Sequence, residues 1–140
     1  MTNAVTLTLA QRDDVIPLIA LRVADDKAHY VSDNAQSLAQ AAYEPGAYPF
    51  VIWAGDTRVG MALMVDWREA TFRDPDDDPE AVFLWRLMIG EAFAGHGYGT
   101  EAMKWLIDWA RTRNAKRFVL SHMHGNPAAA FYERLGFMPT

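Results

Sequence analysis

The residues whose types and spacing could do chemistry are Ala94, Gly95, His96, Gly97, Tyr98, Gly99 and Thr100, a run with glycine at alternate positions directly ahead of an amphipathic segment. Glycine adopts positive φ readily and, lacking a Cβ, lets a ligand approach the backbone closely. A helix starting here has N–H groups without partners and a dipole that favours negative charge, so the run is expected to clasp a phosphate or pyrophosphate. Other phosphate loops do not fit. The chain has no Gly-x-x-x-x-Gly-Lys-Ser/Thr, and the spacing is not the Gly-x-Gly-x-x-Gly of a dinucleotide fold. The plain alternative is a tight turn with no ligand. His122 and His124, two apart near the end of a strand-like run, do not by spacing alone make a metal site, and no metal is expected.

These residues need elements to position them. Val5, Leu7 and Leu9 alternate with Thr6 and Thr8, the period of a half-buried strand. Val15, Leu18, Ile19 and Val23 then follow helical spacing behind Asp13 and Asp14, acids that suit a first turn. A second helix is expected from Asp33 or Asn34 to about Tyr43, where Pro45 and Gly46 stop it. Residues 48–54 and 58–65 read as strands flanking Gly55, Asp56 and Thr57, a hairpin. Residues 66–79, rich in acids, read as a loop without the spacing of a calcium site. The almost wholly apolar residues 81–89 (AVFLWRLMI) read as a strand covered on both faces.

The clearest helix spans residues 100–113, with a stripe of Met103, Leu106, Ile107 and Ala110 and with Trp105 and Trp109 beside it. A strand over 117–121 and a short helix over 127–135 follow, with Gly136 in the position after that helix. A last strand begins at Phe137 and is cut short at Thr140. The order is strand, two helices, three strands, helix, strand, helix, which predicts one α/β domain over residues 1–140. The glycine run falls between the apolar strand and the best helix.

Composition narrows the class. A chain of 140 residues, 51% hydrophobic, can bury one core. It has no cysteine, no run of 18 apolar residues and no leader-like start, so a cytoplasmic protein without a membrane segment is expected. The net charge of −5 argues against nucleic acid. Charge is unevenly placed: residues 1–80 hold 14 Asp and Glu against 6 Lys and Arg, while residues 81–140 hold 4 against 7. An acidic half can attract a cation and a basic half tolerates a phosphorylated cofactor. Five of those acids, however, sit in the one loop from Asp74 to Glu80.

With these residues in hand, the chain resembles the GNAT superfamily of N-acetyltransferases, whose cofactor loop reads Arg/Gln-x-x-Gly-x-Gly/Ala ahead of a long helix. Ala94, Gly95, His96, Gly97, Tyr98 and Gly99 match it except that Ala94 replaces Arg or Gln. A second matching stretch runs from Asn126 to Phe137 (NPAAAFYERLGF). The resemblance implies a mixed, mostly antiparallel sheet flanked by about four helices, with the last strand truncated. It also implies acetyl-CoA as cosubstrate. Leu87, Met88 and Ile89 would lie on a bulged strand whose backbone faces the pantetheine arm, Asn126 would touch that arm, and Tyr132 would lie near the sulfur.

Physical chemistry supports Tyr132 separately. Phe131 and Leu135 are four apart and suit the core of the short helix, whereas Tyr132 is turned about 100° away toward a cleft. A phenol of pKa about 10 can protonate a leaving thiolate whose thiol has a pKa of about 8.5. The attacking amine must also be neutral, and an alkylammonium of pKa about 10.4 is only about 0.04% deprotonated at pH 7. Residues 81–89 contain no Asp or Glu, although several relatives place a glutamate there. Candidate bases are therefore Glu44, Asp33, Asp66, His122 and His124.

Within the superfamily, the stretches 30–39, 43–45, 48–50 and 85–89 look like the bacterial spermine/spermidine (diamine) acetyltransferases. That likeness implies a polyamine held by Asp33 and Glu44 beside Tyr30, Tyr48, Trp53 and Trp85, through charge and cation–π contact. An amino antibiotic or a protein amine is the nearest alternative acceptor. An acyl-CoA-binding module without catalysis is the alternative class. A second copy of the chain, as a homodimer, is a partner that could supply the missing strand.

Overall fold

The computed structural model describes residues 4–22, 34–70 and 79–120. Five strands form one sheet in the order β1-β2-β3-β4-β5: β1 Val5–Leu9, β2 Ala47–Ala54, β3 Thr57–Asp66, β4 Ala81–Ile89 and β5 Arg117–Leu120. The first three pairings are antiparallel and β4 with β5 is parallel. Helices α1 Val15–Ala20 and α2 Asn34–Tyr43 follow β1, and α3 Tyr98–Thr112 joins β4 to β5. The expected order of elements is found as far as β5. The short helix over 127–135 and the strand from Phe137 lie outside the described residues.

Alternation along the strands assigns each face its cover. Phe50, Ile52, Ala62, Met64, Val82 and Leu84 pack with Ala102, Met103, Leu106 and Ala110 of α3. Val51, Met61 and Met88 turn the other way and pack with Leu18 of α1 and Leu38 of α2. Burying side chains the size of Met103 and Leu106, both fully inaccessible, contributes about 1.5–3 kcal/mol each. Trp105 and Trp109 meet Phe50 edge-on at 5.3 and 5.4 Å, which makes them part of this core. The buried stripe of α3 lies on Ala102, Met103, Leu106 and Ala110, while Ile107 is only half-buried.

Two local features shape the functional end of the sheet. Gly60 of β3 passes so close to β4 that a Cβ there would stand 2.2 Å from the Met88 carbonyl oxygen. In β4 the register steps from Leu63 opposite Arg86 to Met64 opposite Leu84, which leaves Trp85 as an extra residue in a bulge. The bulge resets the alternation, so Leu87 and Ile89 join Val82 and Leu84 on the α3 face. The resemblance implies that the strand holding Leu87, Met88 and Ile89 is bulged; β4 is bulged at Trp85, and those three residues pair regularly with Ala62, Met61 and Gly60.

Candidate cofactor and acceptor cleft

Strand β5 pairs with β4 only from Ala81 to Leu84. Among the described residues, the backbone of Arg86, Leu87, Met88 and Ile89 therefore has no strand beside it on that edge. Strand-like N–H and C=O groups left open in this way can pair with an extended amide-bearing ligand. The chain leaves β4 through Gly90, whose N–H still reaches the Val59 carbonyl at 2.8 Å, and makes a short 3-10 turn at Glu91–Phe93.

The glycine run follows. Gly95 and Gly97 have φ of +84° and +78°, and among the described residues, their immediate chain neighbours apart, no atom lies within 4 Å of where a Cβ would stand on either. Gly97 caps α3, and its carbonyl accepts the first helical bond, from the Glu101 N–H at 3.2 Å. Helical geometry leaves the N–H groups of Tyr98, Gly99 and Thr100 without intrahelical acceptors. The helix behind them is 15 residues long, so its positive end faces the same open space. The helix starts two residues earlier than glycine content suggests, because only Gly95 and Gly97 take positive φ and Gly99 is helical. His96 is exposed and stacks on Tyr98 at 5.4 Å. Ala94 is exposed and places no polar side chain at the loop.

The cradle and the open β4 edge are neighbours through Gly90, so a ligand with a pyrophosphate on one end and a flexible amide arm can lie along both. The residues present fit acetyl-CoA. On the α1 side of the same connection is a cavity of about 350 Å³ between Leu21, Arg22, Glu91, Ala92 and Phe93.

Other expected site residues do not gather there. Tyr48 lies on the α3 face with its ring 5.4 Å from Trp109; its hydroxyl donates to Glu69 at 2.8 Å and accepts from Arg113 at 3.1 Å. Burial and the bond to Glu69 raise its pKa. Trp53 is five residues further along the same strand and so faces the opposite side. There its Nε1 donates to Thr8 Oγ1 at 2.8 Å and Arg58 covers its ring at 4.7 Å. Glu44 follows α2, and its carbonyl accepts from the Ala47 N–H at 3.2 Å. Asp66, a candidate base, is fully buried and ion-paired with Arg68 at 2.8 Å and Arg113 at 3.2 Å. Burial alone would raise its pKa, but the bonds from Arg68 and Arg113 outweigh it and hold the carboxyl below its ordinary value. It is a structural anion at the far end of β3 from Gly60. Tyr30, Asp33, His122, His124, Asn126 and Tyr132 lie outside the described residues.

Trp85 is half-buried with Trp67 and Phe83 on the α2 side of the sheet. The adjacent Arg86 escapes a reading based on motifs, although it is the one charge within AVFLWRLMI and a charge in an apolar strand signals function. Its Nη1 donates to the Trp85 carbonyl at 2.9 Å and its Nη2 reaches Gln40 Oε1 of α2 at 3.4 Å. Its Nε is buried with no partner, and burial lowers the guanidinium pKa.

The model of the acetyltransferase (GNAT) family matches residues 17–137. No curated protein matches the chain. Among solved structures, an aminoglycoside 6'-N-acetyltransferase from Acinetobacter haemolyticus is 17% identical with a TM-score of 0.71, covering 96% of this chain and 92% of that one. A ribosomal-protein alanine N-acetyltransferase from Escherichia coli is 18% identical with a TM-score of 0.71, covering 98% and 79%. A GNAT family acetyltransferase from Elizabethkingia anophelis, with acetyl-CoA bound, is 14% identical with a TM-score of 0.67, covering 97% and 77%. The family match takes in the β4 edge, the glycine cradle and the stretch holding Tyr132, and the chain accordingly belongs to the GNAT family of acetyl-CoA-dependent N-acetyltransferases.

Proposed function

We propose that the protein acetylates a primary amine of a small molecule by direct attack of the amine on the acetyl-CoA thioester. The observation that carries this is the continuity of the glycine cradle, at Gly95 and Gly97, with the Arg86–Ile89 end of β4, beside which no strand lies among the described residues. N–H groups of Tyr98, Gly99 and Thr100, with the loop of Ala94, Gly95, His96 and Gly97, hold the pyrophosphate. The backbone of Leu87, Met88 and Ile89 holds the arm, helped by Asn126, and polarises the thioester carbonyl. Tyr132 gives its phenolic proton to the leaving thiolate. With Asp66 committed to two arginines, Glu44, Asp33, His122 and His124 remain as groups that could take the ammonium proton.

The resemblance implies a polyamine, and the acidic first half of the chain agrees with it. Of the residues that would hold a polycation, Tyr48 and Trp53 stand on opposite faces, each engaged with an arginine. The described residues therefore add no support for a polycation. No helix among the described residues is long and apolar enough to cross a membrane.

The test is thiol release from acetyl-CoA with polyamines, aminoglycosides and amino acids as acceptors, in the wild type and Tyr132→Phe. Turnover on at least one class, reduced about 100-fold in kcat by the substitution with acetyl-CoA affinity kept, is expected. Tight acetyl-CoA binding without turnover on any amine refutes the proposal.

A further inference from the structure

Arg86 differs from the other half-buried arginines among the described residues. Arg58 meets Asp14 at 2.9 Å, and Arg113 meets Asp66 at 3.2 Å. Arg86, on the segment of β4 that β5 leaves open, has only neutral partners there: the Trp85 carbonyl and the Gln40 side chain. A guanidinium stripped of part of its water is costly unless an anion faces it. The protein nevertheless holds the cation in place, with its Cζ 5.2 Å from the centre of the Trp85 ring.

The pattern of unused donors is specific. Nη1 is occupied at 2.9 Å, Nη2 makes only a long contact of 3.4 Å, and Nε makes none. Nε and Nη2 form one edge of the guanidinium, and that edge presents two parallel N–H groups, the fork that a carboxylate accepts in bidentate fashion. Gln40 Oε1, on α2, accepts only the long bond from Nη2, which a carboxylate oxygen would replace. A phosphate dianion would call for further cations, whereas one guanidinium balances one carboxylate.

We infer that Arg86 is the docking residue for a carboxylate on the acceptor, so that the acetylated amine belongs to an amino acid or a similar amino-carboxylate compound. This rests on the acetyl-transfer reading above. The bulge at Trp85 supplies the placement: it turns Arg86 toward α2 immediately before Leu87, Met88 and Ile89, the residues assigned to the cofactor arm. A carboxylate on Arg86 thereby ties its own amine to the end of β4 where the thioester lies. It also explains why a cationic acceptor finds no cluster of acids on this strand.

The experiment compares kcat/KM for free amino acids, their methyl esters, spermidine and putrescine in the wild type, Arg86→Met and Arg86→Lys. The wild type is expected to prefer free acids over esters by about 10- to 100-fold, the size of one charge-assisted hydrogen bond. Arg86→Met should lose that preference through KM while its affinity for acetyl-CoA stays unchanged, and Arg86→Lys should recover part of it. Equal use of acids and esters by the wild type, a preference that survives Arg86→Met, or polyamines as the best acceptors would each overturn the assignment. Calorimetric titration of N-acetyl amino acids and their esters into the CoA-loaded protein decides the matter separately from turnover. Binding of acid over ester that depends on Arg86 supports the site even if no amine is acetylated, and equal binding overturns it.

Discussion

Replacing Gly97 with alanine separates the cradle's role in binding from its role in folding. Gly97 has φ of +78° and empty space where a Cβ would stand, so alanine meets no clash and pays only for the left-handed backbone, about 1–2 kcal/mol. With an unfolding entropy of roughly 2.1 cal/mol/K per residue, a chain of 140 residues loses about 3–7 °C in Tm. With the pyrophosphate held as proposed, the new methyl would occupy the space from which phosphate oxygens approach Tyr98 and Gly99. Losing one charge-assisted hydrogen bond there weakens acetyl-CoA by about 10- to 100-fold. Gly60→Ala is the converse, because its Cβ would stand 2.2 Å from the Met88 carbonyl oxygen and force β3 and β4 apart. It should destabilise the fold by more than about 3 kcal/mol. Calorimetric titration of CoA alongside thermal unfolding measures both. If Gly97→Ala lowers Tm as expected but leaves CoA affinity within about twofold, against the order-of-magnitude loss expected of a phosphate contact, the cradle is not the pyrophosphate site.

Two further outcomes follow from the charges. Asp66 has a folded pKa below its ordinary value of 3.8, so its stabilisation is complete above that value and is lost as pH falls through it toward the lower folded pKa. Asp66→Asn should cost about 3–5 kcal/mol at neutral pH and flatten the fall of Tm below about pH 4; an acid limb as steep as the wild type's contradicts the role given to Arg68 and Arg113. Ala94→Arg adds a cation at the exposed start of the cradle and should tighten acetyl-CoA by about 2- to 5-fold at low salt, an advantage that fades as salt rises. Titration at two salt concentrations checks it, and an unchanged affinity would place residue 94 away from the phosphates.

Much of the frame was legible because local signals agreed. The β2–β3 hairpin follows from apolar runs around Gly55, whose φ is +58°, and the covered strand β4 from a run that is apolar apart from Arg86. That same run concealed the Trp85 bulge, since a strand apolar on both faces carries no alternation to mark the slip. The start of α3 was set by where positive φ ends, at Gly97, which glycine spacing alone does not reveal. Tyr48 and Trp53 looked like one binding surface by residue type, yet five positions along a strand reverse the face, a parity visible in the sequence. Asp66 read as a free acid because its partners Arg68 and Arg113 come from a turn and the far end of α3, and only the tertiary fold joins them.

The central claim is that acetyl passes directly from acetyl-CoA to an amine, with no acyl group resting on the protein. Mixing the enzyme with acetyl-CoA carrying an isotope-labelled acetyl group, with and without amine, and following protein and small molecules by mass spectrometry tests it most directly. The account predicts label in the acetylated amine in step with free CoA, and none on the protein at any time. Label on the protein before it reaches the amine, or CoA release without an acetylated amine, would contradict it.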